Sequence, residues 1–246
     1  MVAIAAAVAL GGGRWVRTGQ VSWELVFRVT VWGVLWGVVG ARLYHVSTSW
    51  DQLPDAWWGF AAIWQGGLGI WGAILGGVLG GAVVARRAGA NVGLGMDMVA
   101  PGLALAQAIG RLGNWFNQEL YGRPTALPWG LRIDPEHRAA GYLSATTFQP
   151  TFLYELLWNL AVCGTLLVVG RRWRFRPPAL FFLYVALYTF GRFWFELLRI
   201  DPAHHVLGLR VNVWVALLVF GGSVALVLRF QRRGREHAGE PGPRGE

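Results

Sequence analysis

The chain has 246 residues, of which 54% are hydrophobic and only 14% charged, against about 25% charged in ordinary soluble domains. Its formal charge of +9 comes from 22 basic residues, all Arg, set in short clusters between apolar runs. That placement fits membrane topology better than a nucleic-acid-binding face, and the single Cys163 excludes an intrachain disulfide or a Cys-rich metal site.

Several apolar runs approach the roughly 20 residues that cross a bilayer. The expected architecture is an all-α, polytopic membrane bundle of about seven spans. It occupies residues 1–230 and includes an outer polar segment at 114–150. A basic, Gly/Pro-rich tail at 231–246 is expected to be disordered.

Val2 to Leu10 is apolar but short, with no basic n-region or cleavage pattern. It reads as the last half of a membrane helix that begins upstream. Phe27 to Val46 is a full-length span with Arg42 and His45 near its far end. A polar stretch, 47–57, carries Asp51, Pro54 and Asp55. The Gly-rich run Ile63 to Gly72 predicts a bent approach at the interface, continuing as a helix over 70–85. Gly72, Gly76 and Gly80 lie four apart, a spacing that lets membrane helices pack closely. Arg86 and Arg87 end that helix.

Residues 94–113 form the next span, with Asp97 near its start. Apolar residues return at 151–170, with Tyr154 and Glu155 near the start. Arg171, Arg172, Arg174, Arg176 and Pro177-Pro178 follow. Residues 179–198 form a span that contains Tyr188, Arg192 and Glu196. Residues 211–230 are the last span.

Basic clusters without acidic partners fall at 14–17, 86–87, 171–176 and 229–235, in alternate loops. The positive-inside rule places them in the cytoplasm, with the N-terminus outside and the C-terminus inside. The unusual polar residues then converge on the outer leaflet, with Asp97 the exception.

The stretch Gly110 to Thr125 concentrates the chemistry: Arg111, Asn114, Asn117, Glu119 and Arg123, with Gly110, Gly113 and Gly122. Arg111 lies at a membrane boundary, where an ionisable group marks a functional site. Its planar fork suits phosphate, Asn and Glu can hold that fork, and the glycines permit tight turns. The competing structural reading is an interfacial turn with a snorkelling Arg. Tyr188, Arg192, Glu196 and Arg199 share one helix face. Glu196 can hold Arg192 in place, so that Arg111 and Arg192 grip one lipid phosphate from two helices. A phosphate so held is a better leaving group. With no Ser-His-Asp spacing, metal cluster or redox motif, the nucleophile is expected from a second substrate. His45 is the best placed of the five His.

At these residues the chain resembles the bacterial prolipoprotein diacylglyceryl transferases. The resemblance rests on Gly110 to Thr125. It extends to Gly40-Ala41-Arg42-Leu43, Trp64-Gln65-Gly66-Gly67, Pro150 to Glu155 and Gly191 to Glu196. It implies a seven-span enzyme of the bacterial plasma membrane with its active site toward the outer leaflet. Such an enzyme moves diacylglyceryl from phosphatidylglycerol to the lipobox Cys thiol of a preprolipoprotein signal peptide, releasing glycerol phosphate. No cofactor or metal is implied. By position, Arg111, Asn114, Glu119, Gly122, Tyr188, Arg192 and Glu196 match functional positions of the family. Arg111, Arg192, Glu119, Asn114 and Tyr188 are assigned to catalysis. Asn117, Gly122, Arg123, Glu196 and Arg42 join Arg111, Asn114 and Arg192 in substrate binding.

The chain departs from the family pattern at Trp71 and Gln149, where many members have His, and lacks a Tyr-bearing outer segment of the first helix. Neither Trp nor Gln can act as a general base. Two rival classes remain. A small-molecule transporter would show two related halves or paired broken helices, and no repeat is visible. An inactive paralogue acting as a structural subunit would follow from the two missing His and the short first helix.

Overall fold

The computed structural model describes residues 1–48, 70–200 and 205–238. The motif Trp64 to Gly67, the acids of the 47–57 loop and His204 lie outside the described residues. The chain is helical, as expected, in the order α1 (Val2–Ala7), a π-helical turn (Val8–Gly12), α2 (Gly13–Val16), α3 (Trp23–Thr48), α4 (Ile70–Arg87), α5 (Val92–Phe116), α6 (Thr151–Arg172), α7 (Ala179–Leu198) and α8 (Val211–Ala238). Two short antiparallel ladders interrupt the helices: β1 (Leu131–Arg132) with β2 (Thr147–Phe148), and β3 (His205–Val206) with β4 (Leu209–Arg210). The sequence predicts no strand, because two-residue ladders carry no periodicity.

Among the described residues, five helices, α3, α5, α6, α7 and α8, are long and apolar enough to cross a membrane, and Val2–Val16 is a shorter apolar helix. Of the most apolar window of α3, only 11% is buried. Leu35, Trp36 and Leu43 of that helix are exposed, as are Leu75 and Leu79 of α4. Apolar helices that expose this much surface require a lipid environment.

Contacts divide the chain into two compact units, Gly12–Gly95 and Met1–Gly11 with Met96–Glu246. In the first, α3 and α4 pack through glycines. A side chain at Gly40 would meet the backbone of Gly72 and Gly76, and one at Gly76 would meet the Trp36 carbonyl. Gly80 lies against the Trp36 ring. The four-residue glycine spacing is thus a packing seam, as read, and it is matched by Gly33, Gly37 and Gly40 on the partner helix.

In the second unit, Gly102 of α5 faces the Ala7 backbone of α1. Small Ala100 and Ala104 on α5 admit Val162, Cys163 and Leu166 of α6 and Leu180 and Tyr184 of α7 into one buried core. Cys163 is a core residue. Asp97, 2% exposed, accepts a hydrogen bond of 2.8 Å from the Phe181 N–H. It thereby caps the first turn of α7 from a neighbouring helix, a turn whose amides have no intrahelical acceptor.

The segment between α5 and α6 folds on a small core of Tyr121, Ile133 and Phe148. The Tyr121 hydroxyl donates to the His137 carbonyl and accepts from the Ala139 amide, both at 2.6 Å. Arg138 donates to the carbonyls of Ile133 and Leu143. Gln118 and Asp134 pair through side chain and backbone. Many of the polar residues of 114–150 therefore build the segment itself.

Gly76→Leu forces backbone against backbone in the α3–α4 seam. It is expected to cost about 1–3 kcal/mol, the scale of overpacking, read as a lower thermal midpoint in detergent. An unchanged midpoint would remove the seam from the account.

Candidate active site

The central motif begins inside a helix. α5 runs to Phe116, so Arg111 lies more than a turn before its end, and Gly110 and Gly113 are helical with open space beside them. The expectation that these glycines make the tight turns is corrected. The turn is made by Gln118 and Leu120, at φ 49° and 57°. Gln118 N–H donates to the Trp115 carbonyl and Glu119 N–H to the Asn114 carbonyl, each at 3.1 Å. This is a Schellman cap with Gln in the left-handed position usually filled by Gly. It folds Glu119 back over the last turn of α5, and the side chains follow. Glu119 Oε1 accepts from Asn114 Nδ2 at 2.9 Å and from Asn117 Nδ2 at 3.1 Å. Asn114 Oδ1 in turn accepts from Arg111 Nη1 at 3.3 Å.

Gly122 is needed for close approach. A Cβ there would meet Thr151, Gln149 and the Leu198 carbonyl. Its N–H donates to the Gln149 carbonyl at 2.8 Å, and it forms a bridge with Arg199 at the end of α7. Thr151, fully buried at the start of α6, donates its hydroxyl to the Leu120 carbonyl. These links tie the arm after α5 to the outer ends of α6 and α7. Gln149 serves this junction through its backbone.

Glu155, on the second turn of α6, stands between the two arginines. It is 1% exposed. Its Oε2 lies 2.7 Å from Arg111 Nη2 and 3.6 Å from Arg192 Nη1. Among the described residues, no donor reaches its Oε1. Here the expected picture changes: Arg111 and Arg192 do come together from two helices, but a carboxylate of a third helix holds them. Glu155 belongs to the Pro150 to Glu155 motif but is not among the site residues that the sequence points to. An acid within an apolar helix is itself a site signal and could have found it.

Arg192 also donates from Nη2 to Glu196 Oε2 at 2.7 Å. Glu196, 1% exposed, is a shared partner. Arg199 lies 3.7 Å from its Oε2, and Arg210 Nε lies 3.1 Å from its Oε1. Asn212 Nδ2 donates to that Oε1 at 3.1 Å. Tyr188, one turn before Arg192, has its ring 6.2 Å from that of Tyr184. Arg123 is exposed beside the site-bearing arm. Arg42 is buried and His45 half-buried on α3, in the other unit. Among the described residues, no group of three His, Cys, Asp or Glu is placed to hold a metal ion.

The family model of the prolipoprotein diacylglyceryl transferases matches residues 1–229. The chain belongs to that family. A phosphatidylglycerol–prolipoprotein diacylglyceryl transferase of Frankia alni is 52% identical over 239 residues, which is 94% of this chain and 62% of that protein. One from Cutibacterium acnes is 52% identical over 94% of this chain and 80% of its own length. The Streptomyces coelicolor protein named with the number 2 is 51% identical over 93% of this chain and 73% of its own length. The chain thus spans 62% to 80% of these three diacylglyceryl transferases.

Removing Glu155 takes the carboxylate from largely buried Arg111 and one of two carboxylates from Arg192. Glu155→Leu is expected to lose about 3–5 kcal/mol, the cost of breaking a buried pair from one side. Glu155→Gln, which keeps an acceptor oxygen, should lose less. Thermal unfolding in detergent measures both; a Leu variant as stable as the parent would contradict the bridging role.

Proposed function

We propose that this chain transfers the diacylglyceryl group of phosphatidylglycerol to the lipobox Cys thiol of a preprolipoprotein, releasing glycerol phosphate. The observation that carries the reading is the convergence of Arg111 and Arg192 on one buried carboxylate, in a chain of this family. Each guanidinium fork spends only part of its five donors on that carboxylate and its own helix. The remaining donors suit the oxygens of a lipid phosphate.

In the reaction, sulfur forms a bond to the glycerol carbon of the diacylglyceryl group and the C–O bond to phosphate breaks. Negative charge grows on the leaving oxygen, and Arg111 and Arg192 stabilise it. The thiol proton is carried formally by the glycerol phosphate, so the products balance. A free thiol of pKa near 8.5 is only a few per cent thiolate at neutral pH, and nearby Arg charge raises that share. Asn114 and Glu119 orient Arg111, Glu196 orients Arg192, and Tyr188 stands one turn behind it. Gly122 lets the arm close on α6 and α7. Asn117, Arg123 and Arg42 complete the assignment to substrate binding.

In this reading the seven helices, counting Val2–Val16, cross the bacterial plasma membrane with the N-terminus outside and the C-terminus inside. The reacting end then meets the outer leaflet, where signal peptides emerge. The placement of Arg clusters at 14–17, 86–87, 171–176 and 229–235 supports that orientation.

The test is mass spectrometry of a lipobox peptide incubated with purified protein and phosphatidylglycerol. A gain of one diacylglyceryl group is expected; no gain would favour an inactive paralogue or a transporter. Arg192→Ala is expected to lower turnover by roughly 10²- to 10³-fold, the scale for one electrostatic donor. Arg111→Lys, which keeps charge and loses the fork, should also be impaired. Normal turnover in Arg192→Ala, or a loss matched by its thermal melt, would make Arg192 structural.

A further inference from the structure

The two oxygens of Glu196 are divided between different partners. Oε2 faces Arg192 at 2.7 Å. Oε1 faces Arg210 Nε and Asn212 Nδ2, both at 3.1 Å. Arg210 lies on β4, immediately before α8, and is 7% exposed. Its Nε–H points off the line to Oε1, so the contact is chiefly Coulombic, and its Nη1 reaches the Glu196 carbonyl at 3.5 Å. Neither Arg210 nor Asn212 belongs to the motifs that point to the site.

A lone Arg–carboxylate pair four residues apart is electrically neutral and closes readily into a two-point fork. Such a pair leaves little attraction for an incoming anion. Around Glu196, by contrast, Arg192, Arg199 and Arg210 all approach one carboxylate. One carboxylate oxygen is drawn away from Arg192.

We propose that Arg210, with Asn212, is a positioning residue: by holding Oε1 of Glu196 it prevents that carboxylate from closing on both terminal nitrogens of Arg192. The Arg192 fork then stays available to an anionic lipid headgroup. This rests on the reading of Arg192 as a phosphate-binding group. Without Arg210, the Glu196 carboxylate turns toward Arg192 and occupies both its terminal nitrogens, although both residues remain in place. A carboxamide at position 196 cannot do so, because only one of its two ends is an acceptor.

The experiment is a double-mutant cycle in the full chain, read both as diacylglyceryl transfer to a lipobox peptide and as phosphatidylglycerol binding by native mass spectrometry. Arg210→Met is expected to lower transfer and weaken lipid binding by about tenfold or more. In an Arg192→Ala background the same change should cost less than about twofold, since coupled sites are non-additive. Glu196→Gln combined with Arg210→Met should recover transfer and binding relative to Arg210→Met alone. Equal losses in both backgrounds, or no recovery with Gln, would make Arg210 a structural residue and overturn the proposal. If the parent chain transfers nothing, the functional reading fails, and the lipid-binding cycle still decides the role of Arg210 by the same two criteria.

Discussion

A carboxylate buried in a helix bundle needs cations beside it, because its desolvation costs several kcal/mol. Glu155 and Glu196, each 1% exposed, meet that demand by sharing arginines. Arg192 touches both, and Arg111 reaches the first. Three helices and the start of a fourth are therefore fixed to one another at one end by charge. The remainder of the unit is arranged so that these groups can meet. Small Ala100 and Ala104 let α5 approach α6 and α7. Gly122 lets the arm after α5 lie against Thr151 and Leu198. Asp97 completes the first turn of α7 at its other end.

Arg111 and Arg192 are oriented by the same device. Each is held by a polar group on its own chain segment and by Glu155 from outside. For Arg111 the local holder is Asn114, itself fixed by Glu119 through the helix cap. For Arg192 it is Glu196, fixed by Arg210 and Asn212. Fixed donors aimed at a common point stabilise developing charge without rearranging as it develops. The arrangement suits a reaction whose difficulty lies in the departure of a phosphate.

Local relationships were the legible ones in the sequence. The pairing of Arg192 with Glu196 follows from helical spacing, and the glycines of α4 announce a packing seam by theirs. The helical character of α5, α6 and α7 followed from apolar runs of membrane length. The Glu155 bridge was not legible, since its partners on α5 and α7 are far away in sequence and no spacing rule connects them. The cap at Gln118 was hidden because glycines nearby offered an easier turn, while the helix in fact continues through Gly110 and Gly113. The short ladders and the Tyr121 core depend on hydrogen bonds within the outer segment, which composition does not encode.

The central claim is that Arg111 and Arg192 together receive one lipid phosphate. A structure of the protein with bound phosphatidylglycerol tests it most directly. The account predicts phosphate oxygens about 2.7–2.9 Å from guanidinium nitrogens of both residues, the distance of a charge-assisted hydrogen bond, with Glu155 and Glu196 still beside them. A phosphate bound elsewhere, out of reach of the Arg111 and Arg192 guanidiniums, would contradict it.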